Sequence, residues 1–169
     1  MSTSSLPPTP SPGAHRRGAE IALAVGGFGI GTGEFAIMGL LPNVAKDLAI
    51  SIPQAGHVIS IYALGVVIGA PVIATLAARL SRRTLLLLLM VLFAVGNIAS
   101  ALSSSYGNLM VFRFISGLPH GAYFGVASLV AASMAGVGQR AKAVGRVMLG
   151  LTLATLLGSP LATWIGQLM

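Results

Sequence analysis

The chain has 169 residues, of which 55% are hydrophobic and only 8% charged, where soluble domains carry about 25% charged residues. A core of this length could not hide so much apolar surface from water, whereas lipid is itself an apolar phase, so the composition excludes a soluble all-helical domain. The absence of cysteine excludes a disulfide framework. The net charge of +7 does not describe a nucleic-acid-binding face, because the basic residues fall between apolar runs rather than clustering on one soluble surface.

Residues 1–18 (MSTSSLPPTPSPGAHRRG) are rich in Ser, Thr and Pro and are predicted to be a disordered cytoplasmic tail. His15, Arg16 and Arg17 ahead of an apolar run resemble a signal peptide. The run is too long for a cleavable h-region of about 7–15 residues, and it carries Glu34, so it reads as a retained first span. The remainder, residues 19–169, is predicted to form five transmembrane helices at about 21–41, 55–78, 85–102, 109–130 and 147–165.

Span 1 is dense in glycine up to Gly33 and Glu34, which in a membrane suits close helix contact or local bending. Residues 42–54 follow as the first outer loop, with Lys46 and Asp47 solvated. Span 2 carries Gly65 and Gly69 four apart, and Pro71 predicts a kink near Val67. His57 at its outer end reads as an interfacial histidine. A basic turn, RLSRRT at residues 79–84, leads into leucine-rich span 3, whose main polar interruption, Asn97, is a candidate cavity residue. After span 4 and a second basic loop, span 5 carries Gly150, Gly158 and Pro160, with Trp164 near the outer interface. With the N-terminus inside, Arg16, Arg17, Arg79, Arg82, Arg83, Arg140, Lys142 and Arg146 lie on the inner side and Lys46 alone on the outer. This is a strong positive-inside asymmetry.

Span 4 (LMVFRFISGLPHGAYFGVASLV, residues 109–130) holds Arg113, with Gly117, Gly121 and Gly125 behind it at every fourth place. A charge at a helix centre costs roughly 2.5–3.5 kcal/mol on insertion scales, so it needs a partner or a polar cavity. The glycine row predicts one smooth face against another backbone. Glu34 in span 1 falls at comparable depth, about 10 Å below the outer end, against roughly 6–12 Å for Arg113. Three readings are open: a structural ion pair, a carboxylate that binds a proton under the influence of Arg113, and direct contact with a charged substrate. A carboxylate's proton affinity depends on burial and on neighbouring charge, so one that changes surroundings with conformation can couple to protons. His120, seven residues after Arg113, is either a further cavity residue or a polar packing residue.

The runs TGEF (residues 32–35) and GLLP (39–42) resemble the drug/proton-antiporter branch of the major facilitator superfamily, in particular bacterial arabinose- and sugar-efflux-type permeases. Arg113 followed by Gly117 and Gly121 is similar to that family's span 4 motif. ARLSRR (78–83), with Arg79, Arg82 and Arg83, is similar to its inner loop, but Ala78 stands where an aspartate is common and Ser81 where a glycine is. GSP at 158–160 is a degenerate form of its span 5 motif. The resemblance implies five helices of an N-terminal six-helix half, built from inverted three-helix repeats and working by alternating access. It places Glu34 and Arg113 at the central cavity, and Gly158 and Pro160 in packing and gating.

The function expected on these grounds is secondary active transport in the bacterial inner membrane: proton-coupled efflux of a drug-like compound or a sugar. The proton gradient is the energy source and no cofactor is involved. The expected partners are the lipid bilayer, protons, a small-molecule substrate, and a missing C-terminal half or a second copy, with no nucleic acid. The alternative is a truncated, non-transporting membrane protein or a self-assembling half-transporter, since two bodies are needed to rock. Enzyme activity is not expected: the sequence has no nucleophile–base pair, metal-ligand cluster or phosphate loop, and its glycine runs lack the strand context of a dinucleotide site.

Overall fold

The computed structural model of the chain describes residues 12–168, all of whose regular elements are helical: α1 (Pro12–Asp47), α2 (Ile52–Leu76), α3 (Arg82–Ala101), α4 (Tyr106–Met134), α5 (Arg140–Leu153) and α6 (Ser159–Gln167). A π-helical turn, Ala154–Gly158, joins α5 to α6 without a break, so the two form one fifth span, Arg140–Gln167. Five helices are thus long and apolar enough to cross a membrane, as predicted. The predicted tail divides: residues 1–11 lie outside the described residues, whereas 12–18 belong to α1.

The predicted outer loop at 42–54 is largely helix. Pro42 lies inside α1, where it deletes only its own N–H bond to the Met38 carbonyl, and the residues after it continue the helix to Asp47. The chain turns at Ala49, whose left-handed backbone (φ 51°) lets the Ile50 N–H reach the Ala45 carbonyl at 2.9 Å. Likewise α2 runs through Pro71 to Leu76 as a single helix. The second basic loop shrinks because RAKAVGR is itself good helix material and forms the first turns of α5.

Serines start three of the helices. Ser51 closes a capping box with Gln54, and the hydroxyls of Ser81 and Ser105 accept from the backbone N–H groups of Thr84 and Asn108. Ser81 therefore has a local task as the cap of α3.

In lipid no hydrophobic force distinguishes helix from tail, so the helices hold together where small residues let backbones meet. The α2–α4 contact is the most extensive in the bundle. A Cβ at Gly65 or Gly117 would run into the Phe114 or Tyr62 backbone carbonyl of the facing helix, and one at Gly69 into that of Leu118. Gly121 continues the seam against Val66 and Ala70. Gly125 does not: it is exposed, with open space where its Cβ would stand, so the predicted glycine face ends one place early. Between α1 and the fifth span, Gly150 meets the Ala24 carbonyl and Gly158 meets Thr32 and Phe28. On α3 a stripe of Leu85, Leu89, Phe93, Gly96 and Ser100 turns inward, while Leu87, Leu88, Val91, Val95 and Ile98 face outward.

The two ends of the glycine row give opposite expectations. Gly117→Leu forces α2 from α4 and is expected to lower stability by about 1–3 kcal/mol or more, whereas Gly125→Leu stays within about 0.5 kcal/mol of wild type. Thermal unfolding in detergent, followed by circular dichroism, separates them; equal losses would show that the row acts as one face.

Candidate functional site

Arg113 is 3% exposed, in the first third of α4, and its charge is met by three other helices. Its Nη1 donates to the Gly33 carbonyl of α1 at 3.4 Å and to Asn97 Oδ1 of α3 at 3.5 Å, both long contacts. The Tyr62 ring of α2 lies beneath the guanidinium, with Cζ 4.4 Å from the ring centroid, within the range of cation–π attraction. Asn97 is fixed for this by its own Nδ2, which donates to the Phe93 carbonyl at 2.8 Å. Nε and Nη2 of Arg113 are buried with no acceptor among the described residues.

Glu34, the next residue after Gly33, sits beside this group but does not pair with Arg113. Its Oε2 lies 3.6 Å from His120 Nδ1, and its side chain keeps 24% exposure. The same His120 nitrogen is 3.0 Å from the Tyr62 hydroxyl, and the imidazole packs against Phe124 at 5.2 Å between ring centroids. One nitrogen thus faces a carboxylate and a phenol. When Nδ1 carries hydrogen it can donate to Glu34; when it does not, it can accept from Tyr62.

Four predicted residues, Glu34, Arg113, His120 and Asn97, therefore come together, and Tyr62 joins them. Tyr62 had a readable signal: it precedes Gly65 by three places, on the same face of α2. The structural ion pair that was one open reading of Glu34 and Arg113 is not made in this structure, although Nε and Nη2 of Arg113 have no acceptor. No third ligand-type side chain joins Glu34 and His120 among the described residues.

The remaining predicted residues lie elsewhere. Gly117 and Gly121 form the α2 seam, and Gly158 is buried against α1. Pro160 is exposed in the first turn of α6 and borders a groove with Phe35, Met38 and Trp164. Arg79, Arg82 and Arg83 are exposed and make no ion pair among the described residues. His57, near the start of α2, shares a hydrogen bond of 3.1 Å with the Tyr106 hydroxyl.

A second charged group went unread. Glu20, near the basic end of α1, is 4% exposed; its Oε2 accepts from Arg146 Nη1 at 2.8 Å, and its Oε1 lies 3.5 Å from Arg16 Nε. The i,i+4 spacing of Arg16 and Glu20 and the rarity of acids, three in the whole chain, were its signals.

Membrane-length helices enclosing a polar and charged interior define a multi-pass membrane protein with the build of a solute carrier. The chain belongs to the Major Facilitator Superfamily, whose family model matches residues 23–169. It is 48% identical over 147 residues to the inner membrane transport protein YdhP of Escherichia coli (strain K12), covering 87% of this chain and 38% of that protein. It is also 48% identical to the putative transporter AraJ of the same strain, over 87% of this chain and 37% of that one. A chloramphenicol resistance protein of Streptomyces lividans is 34% identical over 85% of this chain and 38% of its own length. The chain thus spans about 38% of the length of the curated relatives it matches. These relatives are named as transporters or resistance proteins and not as enzymes.

Tyr62→Phe keeps the ring under Arg113 and removes the hydroxyl facing His120, for an expected loss of about 1 kcal/mol. Tyr62→Ala removes both and is expected to cost about 3–5 kcal/mol. Equal losses in thermal unfolding would show that the ring does nothing for the buried charge.

Proposed function

We propose that this bundle is one body of a proton-coupled transporter of the bacterial inner membrane, working by alternating access, with Glu34 as the proton-binding carboxylate. The observation that carries the proposal is the placement of Glu34: half-buried, 3.6 Å from His120 and next to the residue whose carbonyl holds Arg113. A protonated Glu34 is neutral and compatible with that setting. Once the proton leaves, the carboxylate has two stabilising neighbours within a small movement, a protonated His120 or the unoccupied Nε and Nη2 donors of Arg113. Conformations that favour one arrangement over the other then differ in proton affinity, which is the requirement for coupling.

The basic residues at the end shared by the α1 start, the α2–α3 link and the α4–α5 link support a cytoplasmic N-terminus. YdhP, named as an inner membrane protein, supports the membrane assigned. Efflux of a drug-like compound is supported by the chloramphenicol resistance relative, and of a sugar by the sequence resemblance to arabinose- and sugar-efflux permeases. Rocking requires two bodies, so a second bundle is the expected partner, either further polypeptide or a second copy.

The coupling is tested in proteoliposomes carrying an internal pH dye, with chloramphenicol and arabinose as first substrates. Wild-type protein assembled with its partner bundle is expected to move protons when substrate is added. Glu34→Gln is expected to lose that movement at least about tenfold while inserting normally, the range in which general acid–base groups act. Undiminished proton movement in Glu34→Gln would remove Glu34 from the mechanism. A second reading, a half-transporter inactive by itself, follows from the 38% span and predicts no transport by the 169-residue chain alone. Substrate uptake by that chain as a monomer would overturn the two-body requirement.

A further inference from the structure

We infer that the groove between α1 and α5 at the basic end of the bundle binds an anionic phospholipid, with its phosphate against Arg17 and Arg146 and one acyl chain along the apolar wall. The groove is about 530 Å³ and is lined at its charged end by Arg17, Glu20 and Arg146, and beyond them by Ile21, Val25, Phe28, Leu149 and Leu153. It lies far from the Glu34 group: fourteen residues of α1 separate Glu20 from Glu34, about 21 Å of helix.

Charge comes first. Arg16 and Arg146 meet a single carboxylate, Glu20, and Arg17 lines the same groove, leaving an excess of two positive charges among these four residues. Glu20 is paired with Arg146 and lies in ion contact with Arg16, whereas Arg17 is exposed and makes no ion pair among the described residues. Arg146 gives Nη1 to Glu20 yet remains 40% exposed, so Glu20 holds the guanidinium at the groove mouth with donors to spare. Two guanidinium groups at a membrane–water boundary, one of them already oriented, suit a phosphate oxygen.

Shape comes second. From Arg17 to Phe28 is eleven residues of α1, about 16 Å, and one leaflet of a hydrocarbon core about 30 Å thick is about 15 Å. The trough therefore begins at a charged end and runs for the depth of one leaflet. Its floor is the contact of Gly150 with the Ala24 carbonyl, which brings the two helices together. Its sides stay open, with Ile21 64%, Val25 63% and Leu149 54% exposed. A free phosphate has no use for the trough, and a protein helix docking here would need carboxylates to answer the arginines.

The test is native mass spectrometry of the delipidated chain, given equal amounts of phosphatidylglycerol and phosphatidylcholine of the same chain length. Wild type is expected to retain phosphatidylglycerol about fivefold over phosphatidylcholine, in line with one membrane-surface basic contact. Arg17→Gln is expected to bring that ratio near unity without loss of helix by circular dichroism, and Arg17→Lys to keep most of it. Val25→Trp, which fills the trough and leaves the charges, is expected to lower retention of both lipids. Equal retention by wild type, an unchanged ratio in Arg17→Gln, displacement of the lipid by millimolar glycerol phosphate, or a lipid-free dimer closing the groove would each overturn the inference.

Discussion

A guanidinium held at membrane depth is the constraint on which the bundle depends. Arg113 is almost fully buried, and a carbonyl, an amide oxygen and an aromatic face each supply part of what water would have given it. Those parts come from α1, α3 and α2, so the charge can be accommodated only if all three helices converge on α4. Convergence needs close backbones, which explains why small residues concentrate near this depth: Gly33 contributes its carbonyl, Gly96 lies against Ser116, and Gly65 and Gly117 bring α2 onto α4. A charge that costs several kcal/mol unpaired thus becomes a reason for one particular arrangement of helices.

Two acids of α1, the buried Glu20 and the half-buried Glu34, are handled in opposite ways. Glu20 lies under two arginines with a 2.8 Å contact and almost no exposure, an ion pair that fixes the ends of α1 and α5 together. Glu34 touches no arginine, keeps part of its surface open, and faces an imidazole whose single near nitrogen is shared with Tyr62. Breaking a buried pair such as the first is strongly destabilising, so Glu20 has little freedom to change its charge. Glu34 has a neighbour that can itself carry or lack a proton. One helix thus holds two carboxylates in opposite settings, one locked between arginines and one beside an imidazole.

Much of this was legible in the sequence because membrane helices write themselves in long apolar runs, and because charges within such runs are rare enough to name. Glu34, Arg113, Asn97 and His120 were found in that way and do meet. What failed were the features whose cost depends on a neighbour. Pro42 read as the start of a loop, yet a single lost backbone bond is cheap beside the continuing helix. Gly125 read as part of a packed row, but helix lines cross and diverge, and periodicity does not say where. Tyr62 and Glu20 went unread because an aromatic residue in an apolar run and an acid beside two arginines each have an ordinary explanation until the facing helix is known.

The placement of the polar group within the bundle follows from which helices hold each other. The strongest associations are α2 and α3 with α4, and α1 with the fifth span, whereas α1 touches α2, α3 and α4 more sparsely. The fifth span is fastened to α1 at two heights, by Arg146 on Glu20 and, past the π-helical turn, by Gly158 against Thr32. A π turn inserts an extra residue and so rotates the face presented beyond it, which is how Gly158 comes to lie against α1 after Gly150 has already done so one leaflet away. The bundle is thereby two tight units meeting along a looser seam. Glu34 and Gly33 belong to one unit; Arg113, His120, Tyr62 and Asn97 belong to the other. The Glu34–His120 contact therefore crosses the looser seam, whereas each glycine-packed interface lies within one unit.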